Sequence, residues 1–295
     1  MIDYHIHTNF SDGSYHFNEM VQGAIDRGLS ELGISDHFGI IPKDPFKHNI
    51  DPTFSVKISE CNTLTYKLVP GGFCDLYDLS LFRLDEYFYT INLKKSEVKD
   101  KINLKAGIEL DYVPENWDEL AELINSHSPD YIIGAVHKNP EGDWFKDICI
   151  PTHYDNMTEE EYVNFAKQNL ELIIDMAKTG KCQIIGHIDC IFTQRKMTDY
   201  SKLYDHLKTI VNIAKEKGLC IEMNYWKRTQ NQDPNLFLYK ECGRLDIPVI
   251  INSDAHIIEH INMGFKEGIK LLKECKVKYT CTFTKQKMNV KEIRY

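Results

Sequence analysis

The sequence contains no C-x-x-C pair, and its nine cysteines are scattered without a pattern. That excludes a structural zinc knot of thiolates and the regular disulfide framework of a small secreted domain. No signal-peptide pattern stands in front, because acidic residues and histidines interrupt the first ten positions. The cysteines therefore read as reduced thiols in a cytoplasmic protein, most of them buried as small hydrophobes. No apolar run is long enough to span a bilayer, so no membrane partner is expected. Positive charge is also in deficit: 35 Lys and Arg against 44 Asp and Glu leave a formal charge of -9. A broad basic surface is excluded, and no nucleic-acid partner is expected. Internal repeats and low-complexity segments are absent as well.

What the chain does have is a recurring layout. Short apolar runs occur at 4–7, 31–37, 105–112, 131–137, 182–189, 220–225 and 247–256, with amphipathic stretches between them. In 159–178 the apolar residues Tyr162, Ala166, Leu170, Ile173 and Ala177 keep helical spacing, and Gly180 supplies a stop. Leu203, Leu207, Ile210 and Ala214 do the same before Gly218. Phe265, Ile269 and Leu272 predict a final helix. Strands alternating with helices, and apolar on both faces, imply a parallel sheet. Seven such strands suggest a closed or nearly closed β/α barrel, with an open doubly wound sheet as the alternative.

The barrel is favoured by where the polar residues fall. Every run ends in one or two of them: His5 and His7, Asp36 and His37, Glu109 and Asp111, His137, His187 and Asp189, Glu222 and Asn224, Asp254 and His256. In a β/α barrel the strand C-termini converge on one face, where chemistry sits. Residues i and i+2 of a strand share a face. His5 with His7, and Asp254 with His256, thus each present two side chains to one point.

The ordered segments HIHTNFSDG, SDH, GIELDY, AVH, GHID and NSDAH resemble the signatures of the PHP (polymerase and histidinol phosphatase) superfamily, in spacing most of all its histidinol-phosphatase branch. The similarity spans nearly the whole chain. It implies a distorted seven-stranded (β/α)7 barrel in a single domain, 1–295, holding two or three divalent metal ions. It further implies three metal positions: His5, His7, Glu109 and Asp254; a bridging Glu109 with His137 and His187; and Asp12, His37 and His256, with His16 a possible competitor for Asp12.

Imidazole and carboxylate together suit Zn, Mn or Fe. Three divalent ions would outweigh the three carboxylates, so the cluster would attract a phosphate dianion. The expected reaction is hydrolysis of a small-molecule phosphate monoester, L-histidinol phosphate in histidine biosynthesis, by attack of a metal-bridging hydroxide. Alternatives are another small phosphate ester or a nucleotide, and a non-catalytic metal-binding barrel. Asp36, Asp111 and Asp189 adjoin the ligands, either orienting them or, for one of the three, serving as general acid. Glu222 is expected to face the barrel core or support a ligand. Arg195 and Arg228 follow strands that end in the site; each is either a phosphate fork or a solvated loop residue. Residues 38–104 are too long for a simple loop and read as a lid or pocket wall, with Phe38, Phe46, Tyr77 and Phe82 available to stack on an imidazole ring. The oligomeric state leaves no mark in the sequence.

Overall fold

The computed structural model describes residues 1–41, 55–57, 63–65, 67–69, 72–74, 83–141, 144–148, 154–225 and 230–295. The chain begins with β1 (Ile2–Asp3), α1 (Phe17–Asp26), β2 (Glu31–Ile34) and β3 (His37–Phe38). Short antiparallel strands follow: β4 (Ile40–Ile41), β5 (Ser55–Lys57), β6 (Thr63–Thr65), β7 (Lys67–Val69) and β8 (Gly72–Cys74). Next come α2 (Leu84–Val98), β9 (Asn103–Ala106), β10 (Glu109–Asp111), α3 (Trp117–Ser126) and β11 (Ile133–Ala135). A hairpin of β12 (Lys138–Glu141) and β13 (Trp144–Asp147) leads to α4 (Glu159–Thr179), β14 (Ile184–Ile185), α5 (Cys190–Gln194) and α6 (Tyr204–Lys217). The last elements are β15 (Cys220–Asn224), α7 (Asn235–Leu245), β16 (Val249–Asn252), α8 (Phe265–Glu274) and a hairpin of β17 (Tyr279–Thr284) and β18 (Lys287–Glu292).

The sequence cues for α4 act as expected. Thr158 Oγ1 accepts from the Glu161 amide at 3.2 Å, and the Glu161 carboxylate accepts from the Thr158 amide at 2.7 Å. This reciprocal cap satisfies two of the helix's free donors. Tyr162, Ala166, Leu170, Ile173 and Ala177 are all buried, and Gly180 ends the helix at φ 66°. Gly218 ends α6 in the same way, at φ 67°. Helix α8 departs from expectation: Ile269 is 41% exposed, and Phe265, Gly268, Leu271 and Leu272 form the buried stripe instead.

Six of the seven apolar runs contribute parallel strands; in the run 4–7 only Ile6 pairs, as an isolated bridge, and β1 lies just before it at Ile2–Asp3, so the fold is mixed α/β. The strands fall into two sheets, ordered β1-β2-β9 and β16-β15-β14-β11-β10-β3. The expectation of seven continuous strands is corrected here. The run 31–37 divides into β2 and β3, and the run 105–112 into β9 and β10. One side chain meets both breaks. The Tyr87 hydroxyl, on α2, sits 3.1 Å from the Ile34 carbonyl and 2.9 Å from the Gly107 carbonyl, and it accepts from the Asp36 amide at 3.2 Å. The side chain thus adds to the backbone bonding there, where Gly107 N still donates to Ile34 O at 2.9 Å. Ile6, after β1, bridges Ala255, after β16, in parallel register and so joins the two sheets, while Ser35 N donates to Ile6 O at 2.9 Å beside it.

At the opposite end from the polar strand termini, Tyr4, Tyr131, Ile133, Ile184, Ile250 and Phe283 pack as a compact apolar plug. Tyr131 fits there because Gly33 and Gly107 face it; a Cβ at either would overlap its ring. Cys182, Cys190, Cys220, Cys242, Cys275 and Cys281 are buried as thiols. Phe38 lies in the main apolar core at 1% exposure and is a packing residue. Phe46, Tyr77 and Phe82 lie outside the described residues, as does Arg228. Among the described residues, no helix is long and apolar enough to cross a membrane.

Candidate metal centre

The strand C-termini deliver their polar residues to one place. His5 and His7 follow β1 and are held there by Ala255, which accepts from the His7 amide at 3.0 Å and donates to the His5 carbonyl at 3.1 Å. His37 lies on β3 and Glu109 on β10, in register with each other. His137 follows β11, His187 follows β14, and Asp254 and His256 follow β16. Asp12 arrives on the turn after His7. Gly13 is obligatory in that turn, because a Cβ would meet the His7 carbonyl and the Thr8 Cα at 2.6 Å. Asp254 takes φ 55°, the left-handed region that a non-glycine residue enters rarely. Such outliers gather at functional sites, where the surroundings hold them.

The nine expected metal ligands meet. Glu109 is central: Oε2 lies 2.7 Å from His37 Nδ1, 3.1 Å from His5 Nε2 and 3.5 Å from His7 Nε2. Its Oε1 lies 2.6 Å from His187 Nε2 and 3.6 Å from His137 Nε2. Asp254 Oδ1 is 3.0 Å from His7 Nε2, and Asp12 Oδ2 is 3.1 Å from His256 Nε2. Four overlapping groups have ligand atoms within 4.8 Å of one another: His7, Asp12, His37 and His256; His5, His7 and Glu109; His5, His187 and Asp254; and His37, Glu109 and His137. The grouping therefore shares His7 and His37 between positions more than the resemblance implied. His16 is exposed at the start of α1, where its amide donates to Glu19.

The electrostatics are those of a cation site. Burial opposes charge on Glu109, yet His37, His5 and His137 hold its carboxyl well below the usual range. Burial likewise opposes charge on Asp254, and His5, His7 and His256 pull it down. His7 is lowered to about 3 by burial and by the neighbouring His256 and His37 rings. An imidazole that resists protonation keeps its lone pairs for a metal. His5 Nε2, His7 Nδ1 and Glu109 Oε2 are buried and lack a hydrogen-bond partner. Orphaned buried groups of this kind are rare and costly. Nitrogen and oxygen donors without thiolate suit Zn²⁺, Mn²⁺ or Fe²⁺, so the residues fit the metals that the resemblance implies.

The flanking candidates divide by what they touch. Asp111 accepts from the His137 amide at 3.0 Å and lies 3.5 Å from His137 Nδ1. Asp36 accepts from the Thr8 amide (2.7 Å), Thr8 Oγ1 (2.8 Å), the Ser11 amide (3.1 Å) and Ser11 Oγ (2.6 Å), binding the turn that carries Asp12. Burial raises its carboxyl to about 6 despite those bonds. Asp189 accepts from Gln230 Nε2 and Asn235 Nδ2, both at 2.9 Å, in a buried network with Tyr239. Arg195 Nη1 donates to the Tyr154 carbonyl at 3.1 Å and to the Met157 carbonyl, and its guanidinium lies over the Tyr162 ring at 5.6 Å. Sequence reasoning missed Thr8, Ser11, Gln230 and Asn235. They are ordinary loop and helix-start residues, and only the folded chain reveals the carboxylates they serve.

The PHP domain profile matches residues 3–225. A Deinococcus radiodurans protein named "Probable histidinol-phosphatase" is 22% identical over 301 residues, covering 98% of each chain. The Lactococcus lactis histidinol-phosphatase is 24% identical over 306 residues, covering 99% of each. The fold is similar to the crystal structure of the Lactococcus lactis histidinol phosphate phosphatase complexed with zinc, L-histidinol and phosphate, at a TM-score of 0.72 and 21% identity, covering 98% of each chain. With a profile match over most of its length, and the histidines and carboxylates of its strand ends drawn into one cluster, the chain belongs to the PHP domain family.

Proposed function

We propose that this protein is a divalent-metal-dependent phosphomonoesterase that converts L-histidinol phosphate into L-histidinol and phosphate. The observation that carries the reading is the convergence of six imidazoles and three carboxylates around Glu109, with three of their buried polar atoms lacking a hydrogen-bond partner. The full-length likeness to histidinol-phosphatases supplies the substrate. His5, His7, Asp12, His37, Glu109, His137, His187, Asp254 and His256 would hold two or three ions. Bound there, such ions supply Lewis acidity, acidifying a water and offsetting charge on phosphoryl oxygens.

The chain's own residues do the positioning. Asp111 sets His137, Asp36 secures the turn bearing Asp12, and Asp189 ties the end of β14 to α7; their contacts favour orientation over proton donation. Arg195, fixed through Nη1, stays a phosphate-binding candidate from sequence, as does Arg228. We read the two sheets as one distorted seven-stranded barrel in a single domain spanning 1–295, supported by the Ile6–Ala255 bridge. Residues 38–104 stay a proposed lid or pocket wall from sequence, with most of 42–82 outside the described residues. The unpatterned, buried thiols suit the reducing cytoplasm.

Phosphate release from a panel of phosphomonoesters, after loading with Zn²⁺ or Mn²⁺, tests the proposal. L-histidinol phosphate should exceed p-nitrophenyl phosphate in kcat/KM by at least about a hundredfold, because a site built for its polar groups rejects an ester lacking them. Equal efficiency on the two would replace the histidinol assignment with a broader phosphoesterase. No release from any ester by metal-loaded protein would overturn the enzyme reading.

A further inference from the structure

Glu222 belongs to none of the ligand groups, yet it is fully buried at the floor of the cluster. Its Oε1 lies 2.6 Å from His5 Nδ1 and accepts from Asn252 Nδ2 at 2.8 Å. Its Oε2 accepts from the His187 amide at 2.7 Å and from Asn224 Nδ2 at 3.2 Å. The Asn252 amide cannot turn round, because its Oδ1 accepts from the Tyr4 amide at 2.9 Å. Glu222 thus faces donors on every side and accepts from all of them, as an ionised carboxylate does. Against that carboxylate, His5 has to carry a proton on Nδ1, which leaves the Nε2 lone pair toward Glu109 Oε2 at 3.1 Å and Asp254 Oδ1 at 3.6 Å.

The two oxygens of Glu222 reach opposite sides of the centre. One governs His5, which faces Glu109 Oε2; the other governs His187, whose Nε2 faces Glu109 Oε1 at 2.6 Å. We propose that Glu222 is a positioning residue that couples two metal positions, fixing the tautomer of His5 with one oxygen and the seat of His187 with the other. The inference rests on the cluster being a metal centre. Orienting carboxylates of this kind are worth about ten- to a hundredfold in metal affinity. Glu222→Gln removes the match, since its amide NH₂ meets a donor whichever way it is turned.

The test uses the full chain, stripped of metal and titrated with Zn²⁺ against a chromophoric chelator. In parallel, long-range ¹H–¹⁵N spectra of the zinc-loaded, histidine-labelled protein read the His5 tautomer. Wild type should show Nδ1–H on His5. Glu222→Gln should bind zinc about ten- to a hundredfold more weakly, with more than one ion affected. Glu222→Asp, which keeps an acceptor-only carboxylate, should recover the tautomer and part of the affinity. It and the wild-type spectrum decide the matter if the Gln variant does not fold. A wild-type His5 carrying its proton on Nε2, or overlapping titrations for Glu222→Gln and wild type, would overturn the role of Glu222 alone. Wild type that takes up no zinc would overturn the metal centre itself.

Discussion

Glu109 Oε1 stands 2.6 Å from His187 Nε2 while its other oxygen stands 2.7 Å from His37 Nδ1, so one carboxylate spans two rings from different strands. Glu109→Gln should keep the fold, whose core is apolar, and lose the shared charge. Phosphatase kcat should fall at least about a hundredfold, as expected for a major electrostatic element. Near-wild-type turnover with full metal content would refute the spanning role.

Arg195 offers a separable test. Arg195→Ala should raise KM for L-histidinol phosphate and lower kcat/KM by about 2 kcal/mol, the worth of a charge-assisted contact, with metal content unchanged. If kcat/KM stays within about twofold while Tm falls, Arg195 is a strut between the Tyr154 and Met157 carbonyls.

Tyr87→Phe should remove the acceptor of the Asp36 amide and the single hydroxyl donor shared between the Ile34 and Gly107 carbonyls. The expected cost is about 1–3 kcal/mol in urea unfolding, at unchanged m-value. A midpoint equal to wild type would show that the strand breaks need no cap.

Asp130 predicts a pH signature. Its carboxylate accepts from Lys95 Nζ at 2.7 Å, the Ala106 amide at 3.0 Å and the Lys285 amide at 3.2 Å. Burial pushes the carboxyl up, but these contacts win and hold it below the ordinary range. A carboxyl whose folded pKa is depressed stabilises the protein above its unfolded pKa and loses that contribution as pH falls. Asp130→Asn should therefore cost about 1–2 kcal/mol at pH 7, since the Lys95 partner is partly exposed. The gap from wild type should close toward pH 3; a gap constant over that range would dissociate Asp130 from the effect.

Much of this was legible in sequence because strands make local rules global. His5 and His7 declare a shared face by spacing alone, and seven polar strand ends declare a shared rim. Gly180 and Gly218 marked helix ends for equally local reasons. The breaks after Ile34 and Ala106 were not legible, because the side chain that meets both, Tyr87, is remote in sequence. Ile269 misled because Phe265 and Leu272 allow two neighbouring stripes on α8, and only packing selects Leu271. Asp189 adjoins His187 in sequence, but its partners Gln230 and Asn235 lie too far along the chain to be foreseen.

The parallel bridge between Ile6 and Ala255 also sets a timetable. His7 and its partner Asp254 are 247 residues apart in the chain. At roughly 5–20 residues per second, synthesis separates their appearance by about ten to fifty seconds. The earliest ligands to leave the ribosome must wait, unpaired, for the latest. The centre is thus finished late: a chain truncated before 254 has seven of the nine donors but lacks Asp254, His256 and the Ala255 bonds that hold His5 and His7.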